Sequence, residues 1–152
     1  MASVSKLEIP VTVAVGGTLG LMFTGLTAAV IKMRKNNNVG FGTGEIPMLE
    51  QTIRAHANFV ETSPLFLLLL LLSETSPTNA LSKKALMGFG GAFVLGRLIH
   101  ASGFMGFDAK KQPKQHYNLR VAGMALSLAS ILGVSGTLLH GAFKAAQATT
   151  RQ

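Results

Sequence analysis

The chain has 152 residues, of which 48% are hydrophobic and only 13% charged, and its mean hydropathy is +0.40, a balance that belongs to polytopic membrane proteins and not to soluble domains. Its net charge of +8 comes with one tyrosine, no tryptophan and no interleaving of aromatic and basic residues, which argues against a nucleic-acid surface. The absence of cysteine excludes disulfides, thiolate metal sites and a nucleophilic thiol of the protein's own.

The first apolar stretch, from about Ile9 to Ile31, ends on Lys32, Arg34 and Lys35. A basic cluster placed directly after such a run acts as a stop-transfer signal, so the stretch reads as a retained span. Asn36 to Gly44, with three consecutive asparagines and then Gly40, Gly42 and Gly44, reads as the first loop. A helix restarts near Pro47 and runs to about Ser73, where the stretch to Thr78, containing Pro77, breaks it. Pro64 inside it marks a place for a kink. The third span covers about Leu81 to Phe104, and Gly88, Ala92 and Gly96 recur along it at four-residue intervals, a stripe that admits another helix. Gly16 and Gly20 offer the same in the first span. Met105 to Asn118, with Lys110, Lys111, Pro113 and Lys114, reads as an exposed loop, and the fourth span runs from about Leu119 to Phe143. The expectation is one all-α domain, an integral membrane four-helix bundle.

Lysine and arginine concentrate in the first and third loops; the second loop has Lys83 and Lys84, and the termini only Lys6, Lys144 and Arg151. By the positive-inside rule the first and third loops face the cytoplasm. That arrangement gathers Arg34, Arg54, Asn58, Glu61, Arg97, His100 and Arg120 near one membrane face. Ionisable groups inside spans cost about 2.5 to 3.5 kcal/mol each on insertion scales and face a cavity or one another, so a shared polar cavity is expected there. Arg54, Asn58 and Glu61, at i, i+4 and i+7, put a cation, an amide and a carboxylate on one helical stripe, a set suited to a zwitterionic ligand. Plainer readings stand beside this one. Glu50, Arg54 and Glu61 form ion pairs along one helix in one of them; Arg97 neutralises Glu61 or Glu74 in another; Arg120 is a topology anchor and His100 a satisfied boundary residue in a third. The four histidines, at 56, 100, 116 and 140, show no HExxH or other close pairing, so no metal site is expected.

The run Arg54-Ala-His-Ala-Asn58-Phe-Val-Glu61-Thr-Ser-Pro-Leu-Phe, followed by Gly96-Arg97-Leu-Ile-His100 and by Arg120 at the head of the fourth span, resembles the MAPEG family, the membrane-associated proteins of eicosanoid and glutathione metabolism. The resemblance covers about Ile9 to Phe143 and is closest to microsomal glutathione transferases and, through Arg120-Val-Ala-Gly-Met124, to the bacterial branch. It implies a homotrimer of four-helix subunits that binds glutathione as co-substrate between neighbouring subunits, toward the cytoplasmic face. Carried over by position, Arg54, Asn58 and Glu61 hold the peptide part of glutathione, Arg34 contacts it from the first span, and His100 and Phe104 fall where ligand-contacting His or Tyr often stand. Arg120 matches the arginine that stabilises the glutathione thiolate. Departures are Phe104, which lacks a tyrosine hydroxyl, and Val121 and Met124 in place of polar residues of the prostaglandin synthase branch.

The function implied is a glutathione-dependent membrane transferase acting on a hydrophobic electrophile or lipid hydroperoxide. The alternative is a non-catalytic membrane scaffold or small-ligand-binding protein that retains the fold. A multi-pass position in a bacterial inner membrane or a eukaryotic endomembrane, in contact with membrane lipids, accompanies either reading.

Overall fold

Proline opens two of the helices. α1 (Pro10–Asn36) and α2 (Pro47–Thr75) each carry it in the first turn, where the fixed φ suits a helix and the missing N–H costs nothing. α3 (Lys83–Ser102) and α4 (Lys114–Thr149) complete an up-down-up-down bundle. A computed structural model of the chain describes residues 8–78, 81–104 and 114–150. All four helices are long and apolar enough to cross a membrane, since about 20 residues rising 1.5 Å each cover a hydrocarbon core of about 30 Å.

Ile9, the residue before α1, offers no side-chain cap. The far end of α2 supplies one. Glu74 accepts from the N–H of Val11 at 3.0 Å and from that of Thr12 at 2.7 Å, a carboxylate at the positive end of a helix dipole. α3 caps itself, with Ser82 Oγ accepting from the N–H of Ala85 at 3.2 Å. At the other end of α1 the asparagine run does the stopping. Asn38 takes a φ of 53°, and the N–H groups of Val39 and Asn38 return to the carbonyls of Arg34 and Lys35 at 3.0 and 3.3 Å. This is a Schellman closure, which asparagine tolerates because it enters the left-handed region readily.

Val11, Val15, Leu19 and Leu26 form the buried stripe of α1. It packs on α2 and α3, and among the described residues α1 makes no contact with α4. At the centre the rings of Phe66 and Phe93 stack at 4.0 Å, both fully buried with Leu70 and Val134. α3 and α4 are the most closely joined pair. A β-carbon on Gly96 would lie 2.6 Å from Ser127 Oγ and 2.9 Å from the Gly123 carbonyl, and one on Gly123 would run into the backbone of His100 and Gly96.

The expected stripe of Gly88, Ala92 and Gly96 is therefore only partly used, because a β-carbon on Gly88 would meet nothing within 4 Å. Eight residues advance a helix face by about 80°, so Gly88 has turned away where Gly96 faces α4. Gly20 is open in the same way, and Gly16 has only ordinary contact with Leu67. α4 also begins five residues before the expected Leu119 and runs on past Phe143. Lys114 to Asn118 is polar but helical; polarity marked where the apolar stretch starts and not where the helix does. Lys110, Lys111 and Pro113 of the expected third loop, and the terminal Lys6 and Arg151, lie outside the described residues. α2 continues through Pro64 without a break.

Overpacking a closed contact typically costs about 1–3 kcal/mol. Gly123→Ala is therefore expected to lower the thermal midpoint in detergent, while Gly88→Ala leaves it unchanged or slightly higher because alanine is the better helix former. Equal midpoints for the two variants would show that the α3–α4 contact is not tight.

Candidate functional site

Arg97 lies between α2, α3 and α4 and is only 1% exposed. Its Nε donates to Ser127 Oγ at 2.8 Å. Nη1 donates to Thr62 Oγ1 at 3.1 Å and to the Asn58 carbonyl at 3.4 Å, and Nη2 points to the Gly123 carbonyl at 3.5 Å and Met124 Sδ at 3.6 Å. Every one of these partners is neutral. Neither carboxylate considered as its counter-ion is used: Glu74 caps α1, and Glu61 is exposed on the outer face of α2. Arg97 thus joins three helices through neutral hydrogen-bonding partners among the described residues.

One turn along α3, His100 is buried, and its Nδ1 bonds the Arg120 carbonyl at 2.8 Å. A carbonyl only accepts, so Nδ1 carries the proton, and in the neutral ring Nε2 is the acceptor. Phe104 meets the His100 ring edge to face at 5.3 Å, and the Arg120 guanidinium carbon stands 4.0 Å over the Phe104 ring. Gly103 makes this possible, for a β-carbon there would lie 2.5 Å from Arg120 Cγ. His100 Nε2 and Arg120 Nε are buried without a hydrogen-bond partner among the described residues. The two residues, with Tyr117, Val121, Met124, Ala125 and Leu128, line a groove of about 360 Å³. Its polar residues lie at one end, and Tyr117 to Leu128 spans about 16 Å of helix, so the remainder is an apolar track into the membrane.

Arg54, Asn58 and Glu61 form a separate group. They share the face of α2 that turns away from the core, with Arg54 and Glu61 exposed and Asn58 half-buried. Among the described residues their side chains make no hydrogen bond or ion pair, so the ion pairs with Glu50 considered from spacing do not form. Arg34 is occupied locally: its Nη1 donates to the carbonyls of Gly42 at 3.0 Å and Val39 at 3.4 Å. No three His, Asp or Glu residues cluster as metal ligands among the described residues.

The model of the MAPEG family matches residues 12–140. The chain belongs to the MAPEG family. In this MAPEG protein the motif residues fall into two sets: His100, Phe104 and Arg120 touch one another, while Arg54, Asn58 and Glu61 stand apart on α2, where the Asn58 carbonyl accepts from Arg97. Sequence reasoning missed Ser127 and Thr62, the hydroxyls that seat Arg97, and Tyr117, which lines the groove. Tyr117 stands three residues before Arg120, one helical turn, and was legible only to a reading that began α4 before it.

Ser127 Oγ also donates to the Gly123 carbonyl, and Thr62 Oγ1 to that of Asn58, so deleting the guanidinium orphans none of its neighbours. Ser127→Val, in contrast, leaves Arg97 Nε without a partner, at a cost of about 1–3 kcal/mol. A double-mutant cycle on thermal stability is expected to show Ser127→Val destabilising in the native background and near neutral beside Arg97→Met. Additive effects would mean that the two side chains are not energetically joined.

Proposed function

We propose that this MAPEG protein is a glutathione-dependent membrane transferase of the microsomal glutathione transferase type, assembled as a homotrimer. The observation that carries the reading is the unpartnered outer stripe of α2. Glu61 lies 14 residues beyond Pro47 in a 29-residue helix, about 21 Å along it, and an exposed carboxylate at that depth is expensive against lipid. A second subunit and a zwitterionic ligand relieve that cost together. Glutathione offers an ammonium for Glu61, a carboxylate for the fork of Arg54 and amides for Asn58, each a charge-assisted or paired bond.

The reaction follows from the groove. With the thiol beside Arg120, the guanidinium favours the thiolate and lowers the thiol pKa toward neutrality. His100 and Tyr117 line the same end of the groove, the imidazole as a candidate acceptor for the departing proton and the Tyr117 hydroxyl as a further donor. The thiolate attacks an electrophilic carbon; the S–C bond forms as the leaving group departs with its electron pair, while the apolar body of the substrate lies along the track toward Leu128. Water-soluble glutathione and a membrane-dissolved electrophile then meet at the boundary, with the first and third loops facing the cytoplasm as the charge bias implies.

A second reading, a non-catalytic scaffold that keeps the fold, draws on Phe104. No hydroxyl stands there, and the Arg120 guanidinium rests on its ring. Thiolate difference absorbance on the detergent-solubilised protein, titrated with glutathione near neutral pH, separates the two. The transferase reading expects a saturable thiolate signal. Arg120→Ala should abolish that signal while glutathione still binds, with turnover of a model electrophile reduced about 10²- to 10³-fold, as for other lost transition-state donors. Saturable binding without any thiolate signal in the native protein leaves the scaffold.

A further inference from the structure

Among the described residues the most exposed large apolar side chain is Phe41, at 97%. It stands between Gly40 and Gly42 at the tip of the first loop, and the loop around it is built. The Schellman closure at Asn38 turns the chain back at the end of α1. Arg34 Nη1 then holds the carbonyls of Val39 and Gly42, and Ile46 N–H bonds the Thr43 carbonyl at 3.0 Å. Gly42 and Gly44 take φ of +69° and +57°, and a β-carbon on Gly44 would lie 2.7 Å from Val39 Cγ2, so both positions need glycine. A loop this closely specified that presents one bare phenyl ring has a surface to meet.

Position says which surface. The apolar part of α1 ends at Ile31, and Arg34 lies three residues on, about 4.5 Å further. The headgroup layer on each side of the hydrocarbon core is roughly 5–7 Å deep, so the carbonyls that Arg34 holds, and Phe41 between them, fall within it. Lys32 and Lys35 are exposed at the same level and make no ion pair among the described residues. Glu45 is the loop's only carboxylate. An aromatic ring flanked by cations at a span end is the pattern that interfacial anchors use.

We propose that the first loop is a bilayer anchor, in which Phe41 enters the interfacial layer of the adjoining leaflet while Lys32 and Lys35 meet lipid phosphates. Removing the ring from water provides the driving force, and the loop amides stay among the hydrated headgroups. The anchor holds the α1–α2 connection at a fixed depth, and with it Arg54, seven residues beyond Pro47.

The chain contains no tryptophan, so Phe41→Trp gives a single indole whose emission reports its surroundings. The full-length variant is reconstituted in vesicles of phosphatidylcholine and phosphatidylglycerol, with Leu21→Trp, exposed at mid-span in α1, as the deep-lipid standard. The expected result is blue-shifted emission, protection from aqueous acrylamide, and quenching by phospholipids brominated near the headgroup end of the acyl chain more than by those brominated near its terminus. Emission like that of indole in water, with full acrylamide quenching, overturns the anchor. Blue-shifted emission without bromine quenching overturns it too, by placing the ring against a neighbouring subunit. Lys32→Gln with Lys35→Gln in the tryptophan background should weaken bromine quenching in phosphatidylglycerol vesicles; unchanged quenching removes the lysines from the proposal.

Discussion

The contact between the backbones of α3 and α4 is the constraint on which the rest of the site hangs. Membrane helices gain no hydrophobic driving force from leaving lipid for one another, so close approach and polar contacts must hold them. Gly96 and Gly123 supply that approach. Because the helices touch there, Ser127 comes within 2.8 Å of Arg97 Nε, and the guanidinium is left in position to reach α2. Because Gly103 also has no side chain, the stem of Arg120 lies flat against α3 and its charge settles over Phe104. His100 is fixed by the same contact, through the Arg120 carbonyl. One glycine on α3, one just past its end and one on α4 thus set the positions of both candidate reactive groups.

The protein treats its two sets of charge in opposite ways. Arg97 is solvated from within by hydroxyls, carbonyls and a thioether, each of them bonded. Dipoles at about 3 Å replace water for a delocalised cation better than for a compact one, which is why arginine and not lysine suits the position. Arg54 and Glu61 receive no such treatment. The chain seats one guanidinium fully yet leaves a second and a carboxylate bare on the neighbouring helix, which is the contrast on which the proposed ligand site rests.

Much of this was legible in the sequence, and the rest was hidden for definite reasons. Span number, the first loop and the spacing of Arg54, Asn58 and Glu61 follow from periodicity and breakers, which are local properties. His100, Phe104 and Arg120 were marked by the family motif, and they do meet. What periodicity cannot give is helix rotation: it found a stripe of small residues on α3 but could not tell that Gly96 faces α4 while Gly88 does not. Glu74 looked like a counter-ion because its partner, a pair of bare amides 62 and 63 residues away, carries no side-chain signal at all. Tyr117 is lost to a boundary drawn on polarity, and the carboxylate partner expected for Arg97 gives way to neutral oxygens on two other helices, which leave no charge pattern.

Arg34, expected from the resemblance to contact the ligand, has a local task in the structure. The resemblance gives it to glutathione, and the structure gives its Nη1 to the loop carbonyls of Val39 and Gly42. A guanidinium has five N–H groups, and Nη1 accounts for only two, so Nη2 and Nε remain available to a ligand carboxylate. The bonds to the loop hold the guanidinium in place before any ligand arrives, which reduces the conformational entropy that binding must otherwise overcome. Under the proposed function a ligand that engaged the free edge of Arg34 would also stiffen the loop that carries Phe41, and the proposed anchoring of that loop would keep Arg34 aimed. The proposed binding at the water boundary and the proposed seating in the lipid therefore bear on the same guanidinium.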